Sequence, residues 1–197
     1  LGQDAMGRGI RRYPYSTDLR TNPQTLSHVR NTQPPHALGE IWASVLWDLY
    51  WSLIDQYGYD DTWTNPESGN YIAIQLVIDA LMIQPCNPSL LESRDAILTA
   101  DMINHDGVHQ CEIWGVFAKR GLGYSADIGD LNNRGDNIDG FDMPLSCDYS
   151  AKVIKETAET FSKSDVLDVK LTVRNDSRVS LTGLTLYDEI PEGMRFL

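Results

Sequence analysis

Between Ala37 and Tyr57 the apolar side chains Leu38, Ile41, Trp42, Val45, Leu46, Leu49, Tyr50, Leu53 and Ile54 recur at helical spacing. That period predicts one long helix with a broad buried face, ended by Gly58. Ser44, Asp48, Ser52 and Asp55 fall on the other side and read as its polar face. Trp47 and Trp51 lie between the two, so the helix is expected to be covered on most sides. A second helix is predicted from about Tyr71 to Ile83, after a polar loop from Asp60 to Asn70. The run Gln84-Pro-Cys-Asn-Pro88 stops it, with Asn87 the expected N-cap and Pro88 the first position of a third helix reaching about Ile103. A fourth helix is predicted from about Val108 to Lys119, closed by Gly121.

Either side of these helices the pattern differs. Residues 1 to about 35 are broken by Gly7, Gly9, Pro14, Pro23, Pro34 and Pro35 and read as irregular. Residues 122–147 form a loop rich in Gly, Asp and Asn, expected to be a solvated linker. From about Val153 the pattern turns strand-like, through Val166, Leu167, Val169, Leu171 and Val173, then Leu181, Leu184, Leu186 and Tyr187. Asn175-Asp176-Ser177 is the turn signal between them. The expected fold is therefore mainly α, followed by the start of an immunoglobulin-like β-sandwich. Three or four strands fit before Leu197, against about seven in a complete sandwich. The expected domains are residues 1–147 and 148–197.

Composition narrows the function. With 28 acidic and 16 basic residues the net charge is −12, and no Lys/Arg cluster is available to neutralise phosphates, which argues against nucleic acid. The longest apolar stretch, Ile41 to Ile54, is interrupted by Asp48 and two serines and is too short to cross a bilayer. No membrane span is expected. The chain starts at Leu1 without a charged-then-apolar leader, so it is expected to begin inside a longer polypeptide or after processing.

Candidate chemistry is sparse. His105-Asp106-Gly107-Val108-His109 keeps the i, i+4 histidine spacing of a zinc helix but has Asp for Glu, and Gly107 falls at an inter-helix turn. Two surface loop histidines are the better expectation, and no metal ligands are assigned. No Gly-x-Ser-x-Gly elbow and no phosphate-binding Gly-x-x-x-x-Gly-Lys occurs. Asp127, Asp130, Asn132, Asp136, Asp139 and Asp142 offer oxygens at alternating spacing, so calcium is possible. It is not favoured, because Arg134 takes a ligand slot and no Glu closes the loop. His36, fixed behind two prolines at the start of the long helix, could present a donor to developing negative charge. A capping or packing histidine is the commoner state, and the residues alone favour it.

Cys86, Cys111 and Cys147 allow one disulfide and one thiol. If the third and fourth helices form a hairpin, Cys86 and Cys111 sit at opposite ends, roughly 20 Å apart over about fifteen helical residues. A disulfide spans no more than about 7 Å between Cα atoms. Cys147 can fold back instead, so Cys86–Cys147 is the expected bond, with Cys111 a buried thiol.

Several runs resemble fungalysin-type zinc metalloendopeptidases. They are Gly9-Ile-Arg-Arg-Tyr-Pro-Tyr-Ser-Thr17, His36-Ala-Leu-Gly-Glu-Ile-Trp-Ala43, Gln75-Leu-Val-Ile-Asp-Ala-Leu81 and Gln84-Pro-Cys-Asn-Pro88. Arg94-Asp-Ala-Ile-Leu98, Cys111-Glu-Ile-Trp114 and Phe117-Ala-Lys-Arg-Gly-Leu-Gly123 follow in the family's order, so the resemblance covers residues 9 to about 123. It implies a secreted, extracellular endopeptidase acting on proteins and peptides, with a thermolysin-like catalytic fold. It also implies that this chain is the helical lower lobe. The zinc ligands, a His-Glu-x-x-His helix and a downstream Glu, would belong to a missing upstream half. For the full-length enzyme the resemblance implies metal-assisted hydrolysis. Arg11 would bind the substrate carbonyl and His36 would stabilise the oxyanion, with Arg12 the fallback for Arg11. The family more often has Val before this His, so Pro35 is a departure. Alone the chain would be inactive. A non-catalytic binding or adhesion fragment, or a degenerate relative that lost its zinc helix, is the alternative.

Overall fold

Among the described residues the apolar periodicity produces four helices in the expected order: α1 (His36–Tyr57), α2 (Gly69–Ile83), α3 (Leu90–His105) and α4 (Gln110–Lys119). The computed structural model describes residues 11–32, 35–147, 151–156, 169–175 and 185–186. The chain divides into two compact units, Leu1–Cys147 and Asp148–Leu197. The fold is mainly α, with a small two-stranded antiparallel sheet in the second unit.

In the first unit α2 packs on α1 and α3, and α1 also meets α4 and a 3₁₀ turn at Leu26–Asn31. Ile41, Val45, Leu49 and Leu53 of α1 are fully buried, with Leu76, Ile97, Ile113 and Phe117 from the other helices. Burying such side chains at about 25 cal/mol per Å² is the main force holding the layers together. The start of α2 presses on the end of α1. The Gly69 amide donates to Gly58 O at 2.8 Å, and a Cβ at Gly69 would lie 2.1 Å from the Leu53 carbonyl oxygen. Only glycine fits there.

Boundaries follow the local hydrogen bonds. Helix α3 is capped by Ser89 and not by Asn87. Ser89 Oγ accepts from the Glu92 amide at 3.1 Å, and Glu92 Oε2 accepts from the Ser89 amide at 2.8 Å. This reciprocal box satisfies two otherwise orphaned donors. Bonding from the Ser89 amide, then from its hydroxyl, holds the Glu92 carboxyl below the usual range. Asn87 takes a left-handed backbone, φ 54°, and turns the chain. Asp106 and Gly107 do the same at φ 51° and 76°, which delays α4 to Gln110. In the loop before α2, Asp60 gathers the Thr62 hydroxyl and the amides of Thr62, Thr64 and Asn65. These bonds, the Thr62 hydroxyl foremost, push its carboxyl far below the usual range.

Residues 122–147 are not a solvated linker. Bridges at Leu122↔Gly140 and Asp127↔Ile138 fold the excursion onto itself, and Asp139 accepts from the Ser27 amide at 2.7 Å and from Thr25 Oγ1 at 3.0 Å. Arg134 donates to Thr32 O at 3.1 Å. The aspartate oxygens serve backbone amides, as in Asp127 to Gly129 and Asp130 to Asn132. The loop then returns along α4 and ends in a 3₁₀ turn at Leu145–Cys147.

That return corrects the expected disulfide. Cys147 is bonded to Cys111 with Cα atoms 5.1 Å apart, and Cys86 is an exposed free thiol. The hairpin geometry separates Cys86 from Cys111 but does nothing to keep Cys111 from Cys147. The folded-back loop delivers Cys147 to the first turn of α4.

In the second unit β1 (Ala151–Glu156) pairs antiparallel with β2 (Lys170–Asn175), Val153 opposite Val173. Glu156 and Lys170 close the ladder with an ion pair at 3.1 Å. Val166, Leu167, Leu181, Leu184 and Tyr187, on which the further strands of a sandwich were expected, lie outside the described residues.

Non-reducing peptide mapping is expected to return a Cys111–Cys147 cross-link, with Cys86 alkylated in the native protein. A cross-linked peptide containing Cys86 would contradict the pairing. Cys147→Ser should lower stability by about 3–4 kcal/mol, the chain-entropy scale for a loop of this length.

Candidate functional site

The irregular segment from Arg11 to Thr25 lies across α1, and three residues of that helix spaced by four receive it. Glu40, Ser44 and Asp48 are 2%, 0% and 2% exposed. Ser44 and Asp48 were expected on the polar outer face. Their stripe is polar because it faces backbone, and the partners come from a segment with no ladder of its own.

At the first position, Glu40 Oε1 accepts from the Arg12 amide at 2.7 Å and the Tyr13 amide at 3.0 Å. At the second, Ser44 Oγ accepts from Asn22 Nδ2 at 3.0 Å and lies 3.3 Å from Gln24 Oε1. At the third, Asp48 pairs with Arg120, which follows α4 and is fully buried. Arg120 donates to both Asp48 oxygens, at 2.9 and 3.1 Å. Its remaining bonds go to the carbonyls of Ser16 (2.7 Å), Asn22 (2.7 Å) and Gln24 (3.0 Å). A guanidinium can satisfy several acceptors at once from one planar fork. Lys119 reaches Asp48 from the rim at 3.0 Å, and Tyr15 stacks on Trp47 with centroids 5.8 Å apart.

This anchoring brings the two expected site residues together. Arg11 Nη1 donates to the carbonyl oxygen of His36 at 3.0 Å, across 25 residues. His36 is the first residue of α1, after Pro35 at φ −87° and ψ −24°, and both Arg11 and His36 are exposed. The arrangement places the Arg11 guanidinium on the backbone of His36 at a helix N-terminus, where the helix dipole favours negative charge. Arg12 is drawn elsewhere, its guanidinium bonded to Asn31 O at 3.3 and 3.4 Å. Ile10, which precedes Arg11, lies outside the described residues.

Other sequence candidates resolve differently. His105 and His109 are not surface loop residues. His109 is 4% exposed, with Nδ1 2.7 Å from Asp101 Oδ1 and its amide bonded to Asp101 Oδ2. His105 meets it edge-on at 4.8 Å. Asp101 is fully buried and needs those partners, so the pair joins α3 to α4. A cleft between α1 and α4 is lined by Asp48, Trp51, Ser52, Asp55, Glu112 and Lys119, and neither Arg11 nor His36 reaches it. Glu40 and Arg120 were missed by the sequence reading. The four-residue spacing of Glu40, Ser44 and Asp48 on an otherwise apolar helix was the available signal.

A family model, that of the fungalysin metallopeptidases (M36), matches residues 2–126. The extracellular metalloproteinase mep of Aspergillus fumigatus is 46% identical over 143 residues, 68% of this chain and 23% of the relative. That of Aspergillus flavus is 48% identical over 126 residues, 60% of this chain and 20% of the relative. Extracellular metalloproteinase 1 of Trichophyton tonsurans is 43% identical over 136 residues, 66% and 21%. The chain belongs to the fungalysin metallopeptidase family, and it spans less than a quarter of the length of these relatives. Among the described residues no three or more His, Cys, Asp or Glu come together as a possible metal-ligand group.

Arg120→Met should destabilise the first unit by about 3–5 kcal/mol, the scale for breaking a buried ion pair, since Asp48 and three carbonyls lose their donors. A urea titration giving a loss under about 1 kcal/mol, the surface-pair scale, would show that Lys119 and water replace the guanidinium.

Proposed function

We propose that this chain is the C-terminal, helical part of the catalytic domain of a secreted zinc endopeptidase that hydrolyses peptide bonds in proteins. Arg11 is its substrate-binding residue and His36 its oxyanion-stabilising residue. The observation that carries this reading is the Arg11–His36 contact at 3.0 Å. The two residues singled out by the family resemblance meet at one exposed helix N-terminus. Family membership and the extracellular metalloproteinase names of the relatives support the reaction class and secretion. The Cys111–Cys147 bond fits an oxidising compartment. No helix among the described residues is long and apolar enough to cross a membrane.

In this reading Arg11 offers a planar fork to the substrate carbonyl on the leaving-group side. His36 donates to the carbonyl oxygen as it gains charge, where a preorganised donor is worth most. The zinc ligands belong to an upstream half of the catalytic domain. The thermolysin-like lower lobe corresponds to residues 1–147, and β1 and β2 open an immunoglobulin-like sandwich in residues 148–197. The antiparallel pairing of those two strands is consistent with that assignment.

In the full-length protein His36→Ala should reduce kcat by about 2.7–4 kcal/mol, the scale for one oxyanion donor, at unchanged zinc content. The 197-residue chain assayed beside it should hydrolyse nothing. Full activity in the variant, or loss of its zinc, would remove His36 from this role. Arg11→Lys should lower kcat/KM about tenfold or more, since an ammonium cannot reproduce the bidentate fork. Equal kcat/KM for the two side chains would remove Arg11 from substrate binding.

A further inference from the structure

The carboxylate of Glu40 has no part in the roles assigned above, yet it is the buried acid nearest to both residues in sequence. It stands four positions after His36, one helical turn along the same face, and is 2% exposed. A carboxylate removed from water is tolerated only where hydrogen bonds replace its hydration. One oxygen, Oε1, accepts from two consecutive amides, Arg12 N at 2.7 Å and Tyr13 N at 3.0 Å. Both are bonds from backbone amides to a carboxylate oxygen. They begin one residue after Arg11, on a stretch with no regular secondary structure. Further along, the segment is tied by Arg120 to Ser16 O and Asn22 O, both at 2.7 Å, but nearer Arg11 the other ties are longer. The Arg12 guanidinium reaches Asn31 O at 3.3 and 3.4 Å from an exposed position, and Pro14 O accepts from Asn22 at 3.1 Å.

We propose that Glu40 is the positioning residue of the site, its Oε1 fixing the backbone after Arg11 so that the guanidinium lies against His36. The inference rests on the peptidase reading and deepens it. Glu40 touches neither substrate nor reacting atoms and acts through Arg11. What matters is the reach of the acceptor, because both bonds end on Oε1 and both donors are backbone. The charge is secondary. Glu40→Gln keeps an oxygen at the same reach and loses the charge. Glu40→Asp keeps the charge and withdraws the oxygen by one methylene, roughly 1.5 Å.

The two variants are compared in the full-length protein by kcat and KM on one peptide substrate, each also in an Arg11→Ala background. Misplacement on this scale costs up to about a hundredfold. Glu40→Asp is therefore expected to lose about ten- to a hundredfold in kcat/KM, while Glu40→Gln stays within about threefold of wild type. In the Arg11→Ala background Glu40→Asp should cost nothing further, the non-additivity of residues acting through one another. Any other pattern overturns the proposal: the reverse order, equal loss in both, no loss in either, or full additivity with Arg11→Ala. If wild type cleaves no peptide, the peptidase reading is what fails. The amide proton shifts of Arg12 and Tyr13 then decide the anchor, expected downfield in wild type and Glu40→Gln and moved upfield in Glu40→Asp. Unchanged shifts across all three would overturn it.

Discussion

Everything the site does depends on how the fifteen residues from Arg11 to Thr25, without a ladder of their own, are satisfied when laid against a helix. Peptide groups withdrawn from water need partners, and the segment from Arg11 to Thr25 finds them in side chains. Arg120 answers three of its carbonyls from the interior. Asp48 answers Arg120, and Ser44 and Glu40 continue the same polar row toward the start of α1. A buried guanidinium with one carboxylate partner is expensive to desolvate. Here the backbone carbonyls it binds offset that cost, because each would otherwise be orphaned as well.

The helical part of this architecture was legible because it is driven by local period. Apolar residues of α1 to α4 bury themselves whichever partners they find, and their spacing reports it. Ser44 and Asp48 were misplaced for the complementary reason. A polar residue on a helix looks the same whether it faces water or a distant backbone, and the partners of Asp48 lie in residues 119 and 120. The loop 122–147 was misread as solvated because its order comes from aspartates bonded to amides, including Asp139 to Ser27 across 112 residues. The same folding-back hid the Cys111–Cys147 partnership. Asn87 and Ser89 are both good caps by type, and the Glu92 three residues after Ser89 was the deciding signal.

The candidate site was legible in a different way. His36 behind Pro35 is noticeable on local grounds, but those grounds alone favour a structural histidine. Arg11 is one of sixteen Lys and Arg, and nothing in spacing distinguishes it. Only the resemblance picked out both. Their juxtaposition, and the means by which the chain holds it, required the packing of residues 11–25 on α1.

The row of contacts made by Arg120 also sets an order of events. Its partners lie 72 to 104 residues earlier in the chain, whereas α1, α2 and α3 meet through short connections. Contacts between near neighbours form before those that close long loops. The helical hairpins can therefore assemble while the first segment is still searching. A chain caught at that stage would show His36 at the head of a formed helix with no guanidinium beside it. Docking of residues 11–25 becomes the closing step in assembly of this unit. Trp47 in α1 meets Tyr15 only when that step is complete, so this one stacked pair marks the docked segment and is absent from a merely helical intermediate.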